Sequence, residues 1–273
     1  MMKDEFWNHD DFHEELRGNR AFPIALADVP PEERGAIPEQ WITALSLPDD
    51  KCGDYLAGVW NELCPQLPRV GRFIRSHLRG VLLATMPRRY HYVRDFISGP
   101  PAGDWRKDRW TVLIYVFDGL SERFPYQLWY GKVPHSGDLP AWGDAAAAVL
   151  GDLPRLQDGF KELSLTAGIL SIEDVHSIAD RWIRYTDPDL EQFEVFAGSG
   201  DGATIPRSEW PDFDETLVVA EYLSQEACAI DLTKADGSGW GGSFNGLYPV
   251  DSVALEVEDM IGRVTGAIEM GKF

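Results

Sequence analysis

The sequence predicts an α+β fold, with helices packed on antiparallel sheet. Short runs rich in β-branched and aromatic residues come in adjacent pairs, as antiparallel hairpins require. Amphipathic stretches with apolar residues at i, i+3 and i+4 stand around those pairs. Helices and short strand pairs in this order define the class. The expected layout is a mixed α/β N-terminal half, residues 1–135, and an acidic α+β half, residues 136–273.

The elements follow in order along the chain. Residues 21–50 carry Pro23, Pro30, Pro31, Pro38 and Pro48. Each removes a donor and fixes φ, so this stretch reads as extended or as short turns. A short helix is expected over 54–64, with Tyr55, Val59 and Leu63 on one stripe and Pro65 and Pro68 stopping it. Val70, Phe73, Ile74, His77, Leu78, Val81 and Leu82 then keep helical spacing, with Arg69, Arg72, Arg75 and Arg79 on the opposite face. Seven arginines and no acid occur between 69 and 94. They read either as an anion or nucleic-acid patch, or as a solvated face that pairs with the acidic half of the same chain.

Pro100, Pro101 and Gly103 mark a break. Trp110–Phe117 and Tyr126–Val133 read as strands, joined through Asp118-Gly119 into a hairpin with a long loop. Pro134–Pro140 is the expected linker. Trp142–Leu150 is an Ala-rich helix, and Leu156–Leu165 a second short one. Ser171 with Asp174 is placed as a capping box for a helix carrying Ile172, Val175, Ala179, Trp182 and Ile183, ended by Asp187-Pro188. Phe193–Ala197, the Gly198–Gly202 turn and Ala203–Ile205 read as strand, turn and return strand. Leu217–Tyr222 and Ala227–Leu232 form another strand pair, and Gly237–Gly246 a glycine-rich mobile loop. Asp251 caps a last helix carrying Val253, Val257, Met260, Ile261, Val264 and Ile268.

The chain has 273 residues, 44% of them hydrophobic and 12% aromatic, which describes a globular protein with a substantial core. Its ten tryptophans are spread along the chain and read as core or rim packing residues. Its charge is uneven. Residues 1–135 hold 19 Asp and Glu against 17 Lys and Arg, whereas residues 136–273 hold 26 against 8. The second half therefore carries −18 of the net −20. Such a field repels phosphates and anionic lipid and steers a basic protein partner inward. The same acid also keeps a protein soluble. The expected partner is thus a protein, with no nucleic acid and no membrane. Cys52, Cys64 and Cys228 match no metal spacing and read as reduced, buried thiols of a cytoplasmic protein. The acidic N-terminus lacks the apolar stretch of a secretory signal, and the longest apolar run, about Val81–Thr85, is too short for a bilayer.

No catalytic set emerges. Gly198-Ser199-Gly200-Asp201-Gly202 lacks the Lys-Ser/Thr of a P-loop, places an acid where phosphate would lie, and reads as a turn. His9, Asp10, His13 and Glu14 share one helix face but lack an HExxH frame, so no metal is assigned. His176 falls on the polar side of its expected helix and is read as a surface residue. No G-x-S-x-G elbow is present, and Cys228 sits in an apolar strand as an inert thiol. No cofactor is expected.

The second half resembles the SUKH superfamily. The matching order starts at Leu153-Pro154 with a short helix. Gly168-Ile169-Leu170-Ser171-Ile172-Glu173-Asp174-Val175 looks like the family's helix start. Phe193 to Gly202 looks like its apolar strand running into a Gly/Asp cluster, and Ala229-Ile230-Asp231-Leu232 like the next strand. Val253–Met260 resembles the terminal helix, with Leu255 or Val257 where the family has an aromatic residue. Ser164–Gly168 keeps only the glycine of the family's Asn-Gly turn. The resemblance covers roughly residues 139–270 and does not extend to 1–135. SUKH proteins are α+β immunity proteins of bacterial toxin systems and cell-wall regulators of fungi. The resemblance implies a protein that acts by binding, with no cofactor and no catalytic residues, and many toxins of such systems are basic nucleases.

The expected function is therefore that of a bacterial immunity protein that neutralises a cognate basic toxin through its acidic surface. The expected docking residues are Asp187, Asp189, Glu191, Glu194, Asp201, Asp212, Asp214 and Glu215, with Trp240 as an anchor in the glycine-rich loop. Two alternatives stay open. One is a hydrolase working through two carboxylates among Asp201, Asp212, Asp214 and Glu215. The other is a regulatory scaffold whose partner is not a toxin.

Overall fold

The computed structural model describes residues 10–87, 109–121, 124–134, 138–163, 167–182, 194–197, 203–222, 226–234, 236–243 and 246–266. Helix α1 (Asp10–Gly18) and the short strand β1 (Phe22–Pro23) come first. After a 3-10 turn (Leu26–Asp28) come helices α2 (Pro31–Arg34), α3 (Glu39–Ser46), α4 (Asp49–Leu63) and α5 (Pro68–His77). Strands β2 (Leu78–Pro87), β3 (Arg109–Ser121) and β4 (Phe124–Lys132) follow. Helices α6 (Gly143–Leu150) and α7 (Leu153–Leu156) lead into β5 (Asp158–Glu162), β6 (Gly168–Ile169), β7 (His176–Ser177), a π-helical turn (Ile178–Trp182) and β8 (Glu194–Val195). A 3-10 turn (Arg207–Glu209) precedes β9 (Thr216–Tyr222), β10 (Glu226–Asp231), β11 (Gly239–Ser243) and β12 (Gly246–Val250). Helix α8 (Val253–Val264) is the last described element.

The described strands form one 12-stranded sheet in the order β1-β2-β3-β4-β5-β6-β9-β10-β11-β12-β8, with β7 beside β9. Every pairing is antiparallel except that of β12 with β8. The class is α+β. The sheet runs across the expected boundary at residue 135, because β4 pairs with β5, Trp129 lying opposite Glu162 and Tyr130 opposite Lys161. One apolar cluster likewise takes Trp41, Leu56 and Trp60 from the first half and Val257, Met260 and Ile261 from the second. Residues 1–135 and 136–273 thus share a sheet and a core. The change of charge between them is a change of surface.

Period-2 alternation sorts the strand residues onto two faces. Leu113, Tyr115 and Phe117 of β3 join the cluster formed with the helices. Val112, Ile114 and Val116 point the other way and pack with Phe12 and Leu16 of α1. Farther along the sheet, Cys228 and Ile230 of β10 share the helical side. Ala227 and Ala229 face Leu170, Ile178 and Trp240, beneath Ile205, Trp210 and Phe213. The pairing of β9 with β10 slips one residue between Cys228 and Ala229, leaving Val219 without a partner in the ladder. This bulge turns both Val219 and Ala220 to the helical side. Helix α8 closes that side, burying Val253, Val257, Met260 and Ile261, each contributing about 1.5–3 kcal/mol.

Several expected elements take another form. The prolines near residues 30–50 start helices, because a missing N–H costs nothing in a first turn; α2 begins at Pro31, and Pro38 and Pro48 precede α3 and α4. In α4 the buried stripe is Cys52, Leu56 and Trp60, while Tyr55, Val59 and Leu63 lie at its margin. The helical spacing expected through Leu82 ends at His77, and Leu78–Pro87 is a strand paired along β3. Short apolar runs fit either period, and the neighbouring strand decides. For the same reason the segment after Leu156 is β5, held by β4 and β6, where a helix was expected. The glycine-rich loop at 237–246 is largely strand, since β11 pairs with both β10 and β12. At Gly239 a Cβ would stand 2.2 Å from the Ala229 carbonyl oxygen, so the close approach of β11 to β10 requires glycine there. The cap of α8 is Ser252, whose hydroxyl accepts from the Leu255 N–H, one residue after the expected Asp251.

Candidate functional site

Of the acids expected to dock a partner, Glu194, Asp212, Asp214 and Glu215 fall among the described residues. In β8, Val195 is fully buried, so alternation turns Glu194 to solvent. The expected strand and return strand meet at the Phe196–Thr204 bridge, with Ile205 N–H donating to the Val195 carbonyl at 2.7 Å. The Gly198–Gly202 turn between them lies outside the described residues. The chain then crosses the sheet with its apolar side chains inward, and the Trp210 indole donates to the Ile205 carbonyl at 3.1 Å. Asp212 closes a turn by accepting from the Asp214 N–H at 3.0 Å, which leaves Asp212, Asp214 and Glu215 exposed just before β9. Four sheet positions, roughly 19 Å, separate β8 from β9, so Glu194 stands apart from the Asp212–Glu215 turn.

Cations of the same half are committed elsewhere. Arg155 pairs with Asp152 at 3.3 Å, Lys234 with Asp231 at 3.5 Å, and Arg263 with Glu226 at 2.7 Å. Lys161 binds Asp174 at 3.1 Å. Arg207, the cation nearest Asp212 in sequence, places its guanidinium 5.3 Å from the Trp210 ring centre. Among the described residues no cation forms an ion pair with Glu194, Asp212, Asp214 or Glu215. Asp187, Asp189, Glu191 and Asp201 lie outside the described residues.

Trp240 is not a loop anchor. It sits in β11, 5% exposed, packed with Val195, Val218 and Leu247, and its Nε1–H donates to Asp231 Oδ2 at 3.2 Å. Burial would raise the Asp231 pKa, but hydrogen bonds from Thr233 and Trp240, with the Lys234 charge, bring it below the usual value. The pairing of glycines with β10 draws Trp240 into the layer that the sequence left open.

The structure also holds a largely buried ionic cluster that the sequence reading missed. Lys132 of β4 and Lys161 of β5 leave the same face of the sheet and converge on Asp174, 3.5 and 3.1 Å from its Oδ2. Ser171 accepts from Lys132 at 2.8 Å and donates to Asp174 at 2.6 Å. Asp158 accepts from the Ile172 N–H at 2.6 Å and holds that turn to the sheet. Lys132 also lies 4.3 Å from the Trp110 ring centre. Burial opposes ionisation of Asp174, yet the two ammonium groups and the Ser171 hydroxyl outweigh it and hold the carboxyl far below its usual range. Burial also opposes the charge on Lys161, but Tyr130, Asp174 and Glu221 together raise its pKa. A lysine held charged in this way is no nucleophile at neutral pH. Ser171 and Asp174 therefore clamp lysines where a capping box was expected, and only a turn, β7 and the π-helical turn follow them. His176 is half-buried, its Nδ1 2.8 Å from the Asp174 carbonyl. The sequence signal was Lys132 and Lys161, each one or two residues from an aromatic side chain of its strand.

The remaining charged groups form structural contacts. In the arginine segment, Arg69 binds Asp259, Arg75 lies 3.4 Å from Asp54, and Arg79 2.5 Å from Asp118. Only the first of these acids belongs to the acidic half. Arg88, Arg89 and Arg94 lie outside the described residues. Among the described residues no group of three or more His, Cys, Asp or Glu side chains is placed to hold a metal. The three cysteines are free and buried; burial and the nearby Asp152 push the Cys64 thiol up to about 12.

No protein-family model matches the chain, and neither a curated protein nor a solved structure matches it.

Proposed function

We propose that this chain is a non-catalytic binding protein of the immunity type that its second half resembles, and that it neutralises a cognate basic toxin domain by direct contact. One observation carries the reading. Glu194, Asp212, Asp214 and Glu215 stand exposed and unpaired by cations among the described residues, while Lys161, Lys234, Arg155 and Arg263 of their half are held by other acids. Charges left in that state act at long range, raising the association rate of a basic partner and repelling polyanions. No helix among the described residues is long and apolar enough to cross a membrane. The buried free thiols agree with a reducing, cytoplasmic setting.

The test is co-expression with a toxin encoded beside this gene, followed by affinity capture at low and at high salt. A complex that forms at low salt and weakens at high salt is expected. Absence of any complex at low salt with every neighbouring toxin overturns the reading. Capture of a neighbouring protein without toxin activity transfers it to the scaffold class.

A further inference from the structure

Helix α5 starts without a cap of its own. The residue before it is Leu67, whose side chain cannot accept from the free N–H groups of the first turn. The acceptor comes from the other end of the chain. Glu258, on α8, accepts the Arg69 N–H and, at 3.3 Å, the Val70 N–H on the same oxygen, Oε1. Glu258 is 0% exposed. Its second oxygen, Oε2, is buried with no hydrogen-bond partner among the described residues. The Arg69 guanidinium is taken by the neighbouring Asp259.

We infer that Glu258 is a protonation latch, which fastens the C-terminal helix to the N-terminus of α5 while neutral and loosens that joint when it ionises. A proton on Oε2 leaves Oε1 as a carbonyl oxygen, so both cap hydrogen bonds survive in the neutral form. Loss of that proton to water puts negative charge on an oxygen with neither solvent nor a donor. Burial raises the carboxyl pKa, opposed by the two backbone N–H groups and by Arg69 and Arg72, and the balance stays above the usual value.

Other charged groups on the elements around α8 are engaged or turned away. Arg263 and Glu226 pair with each other, Glu256 accepts from Tyr248, and Asp231 holds Trp240 and Lys234. Glu221 acts on Lys161, the buried Cys228 thiol is pushed well up, and Asp144 of α6 is exposed. Because the folded value exceeds the unfolded one, the stabilisation is complete below the unfolded value and is lost as pH rises through the folded value.

The experiment uses the full chain. Carboxyl NMR, assigned by the signal missing in Glu258→Gln, follows the titration of Glu258, and amide exchange follows Arg69 and Val70 across the same pH range. The expected titration midpoint lies above that of an ordinary glutamate. Protection of the two amides, corrected for intrinsic exchange, should fall through that midpoint by up to roughly tenfold per pH unit separating the folded and unfolded values. Glu258→Gln should show no such step. A midpoint at or below the ordinary value, or protection that ignores the titration, overturns the inference. Should the variant not fold, amide exchange in the wild type decides: a fall in Arg69 and Val70 protection centred above the ordinary glutamate range supports the inference, and its absence overturns it.

Discussion

Lys132 and Asp174 meet across the middle of this chain, the ammonium 3.5 Å from the carboxylate. One lies before the expected boundary and the other after it, so an interaction buried beneath the surface ties the two halves. Lys161 completes the contact at 3.1 Å. Removing one partner strands the others in a dry site. Asp174→Asn or Lys161→Met should therefore cost about 3–5 kcal/mol in urea unfolding. The depressed pKa of Asp174 adds a pH signature. Its contribution is present above the unfolded carboxylate value, about 3.9, and is lost as pH falls toward the lower folded value. Asp174→Asn should lack that acid limb when stability is measured from pH 6 downward.

Trp240→Ala should destabilise by about 3–5 kcal/mol, since it empties a filled site and removes a donor to Asp231. Trp240→Phe keeps most of the volume and should cost about 1–3 kcal/mol, chiefly for the lost hydrogen bond. Thermal unfolding of both variants checks this. Unchanged melting in Trp240→Ala contradicts its place in the core.

Gly168→Ala addresses the β5–β6 turn. Gly168 has φ +129°, and a Cβ there would meet the Phe160 carbonyl oxygen at 2.3 Å. Backbone conformation and steric overlap act together, so the loss should exceed about 1 kcal/mol and lower the melting temperature by several degrees. A melting curve identical to wild type contradicts the register of β5 against β6.

Reversing Glu194, Asp212, Asp214 and Glu215 together to lysine should leave stability nearly unchanged, because all four are exposed. With a basic partner in hand, association should slow and its dependence on salt should flatten, as stopped-flow mixing at several ionic strengths measures. If rate and affinity are untouched, the acid serves solubility only.

Thiol titration tests the core of both halves at once. Cys52, Cys64 and Cys228 are buried, and the Cys64 thiol is pushed up to about 12. A chromogenic disulfide reagent at pH 8 should find no fast-reacting thiol in the native protein and all three after denaturation.

Long, strongly patterned segments were readable without a structure. WTVLIYVF and YQLWYGKV became β3 and β4, Leu217–Tyr222 and Ala227–Leu232 became β9 and β10, and the 3.6-residue period of Val253–Val264 became α8. Three of the strands that were not readable show why. Leu78–Pro87 continued a helical spacing, Asp158–Glu162 was too short for its period to speak, and Gly239–Ser243 lacks the branched side chains that mark a strand. Each is a strand because a partner pairs with it. The acid was legible as composition. The inward packing of Ile205, Trp210 and Phe213 between Thr204 and β9 was not, and neither was the lysine cluster.

Local pattern settled the α+β class and the inert setting of the thiols, and composition settled the half in which the acid accumulates, since these depend on residue type and short-range spacing. Three-dimensional packing placed Trp240 inside, turned a capping box into a lysine clamp, gave α5 a cap from Glu258 and ran a single sheet through the middle of the chain. Those outcomes rest on strand pairing and ion pairing between residues far apart in sequence, and no local window contains both partners.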